Sequence, residues 1–251
     1  MSAKLFVIPS SHPSMAARLM LERKGIEYRR IDLLPVIHRA VLKAAGFDGV
    51  TVPALRIDGQ RLQGSRTIAR ALDALRPQPP LYPRDPEARE AVEQAEAWGD
   101  EVYQSAGRRL AWATLKRDHS QIGSLVGDAR LGVPTGLAVR TSGPIATLAA
   151  RLNRAGDDAV RLDLERLPGW LDRIDGWLGE GVLGGEEPNA ADYQIATCTR
   201  LMMCMDDLRP ALEERPAGRH AHQVVPEFPG RLPRVFPREW VAPLERAAVP
   251  A

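Results

Sequence analysis

Two serines stand where a helix could lend them chemistry. Ser11, within Ser10-Ser11-His12-Pro13-Ser14, directly precedes a Pro-started apolar repeat, and Ser65 follows Gly64 at the start of another. A hydroxyl at a helix N-terminus can donate a hydrogen bond to an anion, and the helix dipole favours the same negative charge. A free thiol titrates near 8.5, so each unit of depression is about 1.4 kcal/mol of preference for thiolate, and roughly one or two units leave it mostly ionised at pH 7. Ser11 would then stabilise a nucleophile carried by another molecule. The plainer reading is that Ser11 and Ser65 cap their helices. Ser10 and Ser14 are alternatives within reach, and His12 could act as a base, though no Asp or Glu nearby in sequence orients it.

The remaining reactive side chains offer less. Cys198 and Cys204 are six apart among Leu201, Met202 and Met203, which points to core packing rather than redox or zinc chemistry. His220 and His222 lack a third ligand nearby, so no metal is expected. His38, Arg39 and Lys43 lie on a short helical stretch where a basic residue could meet a ligand carboxylate, or could simply face solvent.

The elements that must position these residues follow from patterning. Lys4 to Ile8 is a short apolar run ending in a polar turn, a strand; the helix after it runs to Gly25. Glu27 to Leu33 predicts a second strand and Val36 to Ala45 a second helix. Val52 to Ile57 and Arg61 to Gln63, split by Asp58-Gly59, predict a hairpin, and Ile68, Leu72 and Leu75 space a third helix as one buried face. Pro77, Pro79, Pro80 and Pro83 then mark a linker.

Beyond residue 87 the pattern is helical. Ala91, Ala95, Trp98, Val102, Ala106 and Leu110 predict one long helix over 87–113, and Val160, Leu164, Leu167, Leu171, Ile174 and Leu178 a second, deeply packed one. Asn189 and Asp192 read as a capping box. Residues 117–140, with Gly123, Gly127, Gly132 and Gly136, read as a loop or broken helix, and the prolines after about residue 224 as an extended tail. The chain of 251 residues carries 34 basic and 32 acidic side chains, which gives no electrostatic reason to expect nucleic acid or an anionic membrane. The N-terminal apolar run is too short for a signal peptide, no segment is long enough to span a membrane, and two cysteines form no disulfide framework, so a cytoplasmic location is expected.

The order βαβαββα, a polar turn before the first helix, and Val52-Pro53 before the third strand resemble the thioredoxin-like domain of the glutathione S-transferase superfamily, and the helical remainder resembles its second domain. The resemblance implies an α/β domain over 1–77, a linker over 78–86, an all-helical domain over 87–224 and a tail over 225–251. It places Ser11 where that family presents its catalytic hydroxyl or thiol. Val52 and Pro53 match the family's Val–cis-Pro pair, whose main chain pairs with the thiol compound; without that context an ordinary trans proline is expected. Gly64-Ser65 match the site for the γ-glutamyl group, with Gly64 standing where the family has an acid. Loss of that acid would weaken recognition of an ammonium by on the order of 1.5–3 kcal/mol.

The implied activity is transfer of glutathione, or another low-molecular-weight thiol acting as co-substrate, to a small electrophile. Ser11 would be catalytic, and Ser10, Arg39, Val52, Pro53, Gly64 and Ser65 would place the thiol compound. A homodimer is implied by the same analogy. The alternative is a non-catalytic protein of that fold binding a small apolar ligand or a protein partner. A glutaredoxin-like thiol reductase is disfavoured because the turn carries serines where such chemistry needs a cysteine.

Overall fold

The computed structural model describes residues 2–127, 129–130, 135–140 and 142–247. Strand β1 (Ala3–Val7) leads through helix α1 (His12–Arg23) to β2 (Arg29–Asp32) and α2 (His38–Ala44), and the hairpin β3 (Ala54–Ile57) and β4 (Gln60–Gln63) leads to α3 (Ser65–Leu75). The sheet order is β2-β1-β3-β4; β1 and β2 are parallel, and β3 runs antiparallel to both β1 and β4. This is the expected βαβαββα unit, and the Asp58-Gly59 turn closes its hairpin with both residues at positive φ. Leu5, Val7, Leu55 and Ile57 bury one sheet face against Ala16, Met20, Ile68 and Leu72 of α1 and α3. On the other face a separate cluster of Phe6, Leu33, Leu42, Phe47 and Ala54 packs under α2. Leu75, expected on the buried stripe of α3, is instead exposed in that helix's last turn.

The segment after α3 is held by a buried cation. Lys24 is 2% exposed, and its Nζ donates to Asp73 (2.8 Å), Arg76 O (2.6 Å) and Pro79 O (2.5 Å). A buried ammonium needs such a complete set of acceptors, so the chain leaves α3 along one path.

The long helix is present, with a fault in it. Helix α4 (Pro86–Trp98) passes through a π-helical turn at Gly99–Tyr103 into α5 (Gln104–Arg117). The extra residue in that turn rotates the stripe, so Tyr103 is fully buried while Val102, expected inside, is exposed. Within 117–140 the described residues form a 3₁₀ turn at Ile122–Leu125 and α6 (Thr135–Arg140), and Gly132 lies outside the described residues. Helix α7 (Ser142–Leu152) follows, then α8 (Asp157–Gly179), which carries the expected stripe and is tied to α5 by Arg109, whose guanidinium donates to both Asp163 oxygens (2.6 and 2.7 Å).

Helix α9 (Ala190–Met203) is buried along its length apart from Arg200, as a helix at the centre of a bundle must be. Its capping box is formed: Asn189 Oδ1 accepts from the N–H groups of Ala191 and Asp192, and Asp192 Oδ2 accepts from Asn189 N at 2.8 Å. A Cβ at Gly107 of α5 would stand 2.6 Å from Cys198 Sγ, so glycine lets α5 and α9 approach. Both cysteines are buried and free; burial raises the Cys198 thiol strongly and pushes that of Cys204 up to about 11. His220 and His222 are not brought together: His220 lies buried beside Asp192, while the partly exposed His222 faces Arg200. Helices α10 (Arg209–Glu213) and α11 (Pro216–Val224) complete the bundle. The tail departs from the expected extended form at Arg238, where α12 (Arg238–Ala247) begins; its Val241 and Leu244 enter the core against α8, and the stacked rings of Phe236 and Trp240 both meet the Arg117 guanidinium. The last four residues lie outside the described chain.

Candidate functional site

The turn between β1 and α1 is bent by Ser10, which has φ +56, a left-handed conformation uncommon outside glycine. Its hydroxyl donates to Leu125 O in the helical domain. That contact fixes the turn and takes Ser10 out of the role of a free donor. Ser11 then occupies the N-cap of α1 with extended backbone angles, but its side chain makes no capping hydrogen bond. Ser14 Oγ lies 3.0 Å from Ser11 Oγ and donates to it, leaving the Ser11 proton free to be donated onward. The capping explanation for Ser11 therefore fails at the level of the side chain.

Ser11 opens onto a cavity of ≈ 260 Å³ between the two domains. One wall comes from the sheet domain: Ser10, Ser11, His12, Val36, Arg39 and Val52. The facing wall is Arg108, Trp112 and Leu115 of α5, Ile122 and Leu125 of the 3₁₀ turn, and Ile145 and Leu152 of α7. The Val52–Pro53 peptide is cis. The Val52 main chain is unpaired among the described residues, so its N–H and C=O are available at the cavity wall. Val36, also on this wall, sits at φ +70, costly for a β-branched residue and of the kind that gathers at ligand sites.

Gly64 and Ser65 lie just beyond that wall. Gly64 N donates to Pro53 O (3.0 Å), which joins the α3 N-terminus to the Val52–Pro53 loop. Gly64 has φ +84, and a Cβ there would meet nothing within 4 Å, so backbone conformation and not lack of space favours glycine. Ser65 is 2% exposed and its hydroxyl has no hydrogen-bond partner among the described residues. An orphaned buried hydroxyl costs about 1–3 kcal/mol, and here it stands among the free N–H groups of a helix start. Arg66, the next residue, reaches Glu101 at 3.1 Å and Asp100 at 4.0 Å, bringing two carboxylates of the helical domain towards the same helix end.

His12 is buried in the first turn of α1, where its ring hydrogen-bonds the Gln104 backbone. Burial, and after it the positive charge of Arg108, holds its pKa well below the usual histidine value, so the ring is neutral at pH 7. Its Nε2 is buried and unpaired. His38 is also lowered, first by burial and then by Arg39.

Sequence reasoning missed the facing wall. Arg108 carried a signal that could have been read: its helical neighbours at three and four residues are Gln104, Ser105, Ala111 and Trp112, so no acid is in place to pair with it. Trp112 and the α7 residues gave none, because only the packing of α5 against α7 brings them together.

A four-stranded βαβαββα domain joined to a helical bundle, with a serine turn and a cis-proline loop facing the bundle, is the architecture of the glutathione S-transferase fold. Residues 5–80 match the family model "Glutathione S-transferase, N-terminal domain". Among solved structures, the β-etherase LigF from Sphingobium sp. strain SYK-6 is similar at TM-score 0.60 and 18% identity, over 90% of this chain and 100% of that one. Poplar glutathione transferase F1 is similar at TM-score 0.60 and 15% identity over 98% of each chain. FzlA from C. crescentus is similar at TM-score 0.58 and 17% identity, over 88% of this chain and 86% of that one. At these identities the likeness is one of fold. A comparison with curated protein sequences finds no match.

Proposed function

We propose that this protein is a glutathione S-transferase-like enzyme that binds a glutathione-type thiol and transfers it to a small electrophile. The observation that carries the reading is the pairing, on one cavity wall, of an uncapped Ser11 hydroxyl at the α1 N-terminus with an unpaired Val52 main chain. The thiol compound pairs its backbone with Val52 and sets its sulfur at Ser11. There the hydroxyl and the positive end of α1 favour thiolate. The γ-glutamyl end extends past Pro53 to Ser65 and the free N–H groups of α3, and Arg39 faces the other carboxylate. Attack by the thiolate forms the new carbon–sulfur bond: in a substitution the leaving group departs with the electron pair of the bond that breaks, and in an addition that pair moves onto the electrophile's own carbon or oxygen, which takes a proton from water, so Ser11 serves as stabiliser and not as nucleophile. A homodimer, and a cytoplasmic setting, extend the same analogy; among the described residues no helix is long and apolar enough to cross a membrane.

Gly64 favours a second reading, a binding protein of the same fold, because it offers no carboxylate to the ammonium group. Thermal melting with millimolar glutathione separates the two. At a hundred times its dissociation constant a ligand stabilises by about 2.7 kcal/mol, roughly 5–11 °C for a chain of this size. A rise of that order, accompanied by turnover of an activated aryl halide, supports the transferase. A rise without turnover supports the binding protein, and no rise at any concentration removes glutathione as the ligand.

A further inference from the structure

The cavity facing Ser11 has an unbalanced charge. Among its described lining residues are Arg39 and Arg108 and no aspartate or glutamate. The two histidines do not alter this, since burial keeps both His12 and His38 on the neutral side. The wall that carries Arg108 is mostly apolar, with Trp112, Leu115, Ile122, Ile145 and Leu152 beside Ser142 and Asn153.

Arg108 also differs from the arginines around it. Arg109 is held by Asp163, Arg66 by Glu101, Arg70 by Glu96 and Arg117 by Asp157. Among the described residues the Arg108 side chain makes no hydrogen bond or ion pair, although it is half-buried in the domain interface. Burial opposes its charge; Asp100, two turns earlier, is the carboxylate whose field favours it, but that carboxylate takes its hydrogen bond from Gln104 and its nearest cation is Arg66. A guanidinium withdrawn from water with no acceptor is unfavourable unless something else supplies one. A planar fork of donors on the wall of a mostly apolar cavity matches a carboxylate on an apolar body.

We propose that Arg108 anchors the second compound of this site through a carboxylate, so that the ligand class is a small apolar carboxylic acid, aromatic or aliphatic, with its hydrocarbon part against Trp112 and the α7 residues. This deepens the transferase reading and rests on it only for the compound's role as the electrophile; the binding preference itself needs no thiol.

Calorimetric titration with 4-phenylbutyrate and with its neutral amide, 4-phenylbutanamide, tests the assignment on the unaltered protein. The acid is expected to bind at least tenfold more tightly. Arg108→Met should bring acid and amide to parity, and Arg108→Lys should restore part of the preference because it returns the charge without the fork. If Arg108→Met does not fold, the acid-to-amide ratio on the wild type and on Arg108→Lys still decides. Equal binding of acid and amide, binding of neither, or a preference that survives in Arg108→Met overturns the proposal. Titration with glutathione in parallel keeps the two readings apart. Glutathione binding that is weakened by Arg108→Met while the acid-to-amide ratio stays at one assigns Arg108 to the thiol compound and overturns the anchor. An acid preference in a protein that does not bind glutathione keeps the anchor and removes the transferase.

Discussion

The starts of α1 and α3 are built from the same parts and left in opposite states. Each has a serine at a helix N-terminus beside the Val52–Pro53 loop or the cavity it borders. Ser11 is half-exposed, accepts from Ser14 and keeps its own proton for a partner; Ser65 is buried, with its hydroxyl unpaired. Hydrogen bonding explains the difference. A hydroxyl already polarised by a neighbour is ready to stabilise charge that develops during a reaction, whereas an orphaned one is a vacancy for a fixed group of a bound molecule. In the proposed enzyme α1 acts on the sulfur and α3 on the far end of the same compound.

Ser11→Ala makes the sharpest break in that comparison. Loss of one hydrogen bond to a charged group is worth about 1.5–3 kcal/mol, so conjugation of glutathione to an aryl halide should fall roughly ten- to a hundredfold at pH 7. The affinity for glutathione should change little, because the thiol contributes few of its polar contacts. The loss should shrink as pH rises toward the free thiol's range near 8.5, where ionisation no longer needs help. A loss independent of pH would mean that Ser11 positions the compound instead of stabilising thiolate.

Ser65→Ala should act with opposite signs on two measurements. Without ligand, removing a buried unsatisfied hydroxyl leaves stability unchanged or raises it, by up to about 1 kcal/mol or 2–4 °C in thermal melting. With glutathione, the dissociation constant should rise about tenfold, since the ligand loses its partner at the α3 N-terminus. If the alanine variant melts lower without ligand, Ser65 is a structural cap and the comparison between the two serines collapses.

Much of this was legible in the sequence, for physical reasons. Short apolar runs bounded by turns, the Asp58-Gly59 pair and the proline cluster are local signals, and they pointed to the sheet domain and its exit. The Asn189–Asp192 box is local too, since its partners lie three residues apart. The failures are those of non-local packing. Val102 was expected inside because periodicity assumes 3.6 residues per turn, and the π-helical turn at Gly99–Tyr103 breaks that count. The tail was expected to stay extended because prolines dominate it, yet Pro243 lies within a helix whose apolar face is held by α8. At the site, Ser10, Ser11, Arg39 and Val52 do share a cavity, and Pro53 links them to Gly64 and Ser65. Arg108 was missed because only contact between the domains places it opposite Ser11.

The smallest effect concerns protons. The α1 turn carries His12 beside its serine, whereas the residue after Ser65 in the α3 turn is Arg66. Burial, then Arg108, lowers the His12 pKa in the folded chain well below its unfolded value near 6.5. As pH falls below 6.5 the unfolded chain takes up a proton that the folded chain refuses. The stability tied to neutral His12 is therefore fully present above that pH and is lost progressively on acidification. His38 is lowered as well and pulls in the same direction, while the carboxyls of buried Glu96 and half-buried Asp100 are raised and pull the other way. Comparing slopes isolates His12 from all of them. Melting temperature followed from pH 7.5 to 5.5 should fall less steeply in His12→Asn than in the wild type, whatever the two values are at pH 7.5. Equal slopes would mean that the folded α1 turn admits the proton beside Arg108, and the cavity would then be more positive in acid than the neutral ring allows.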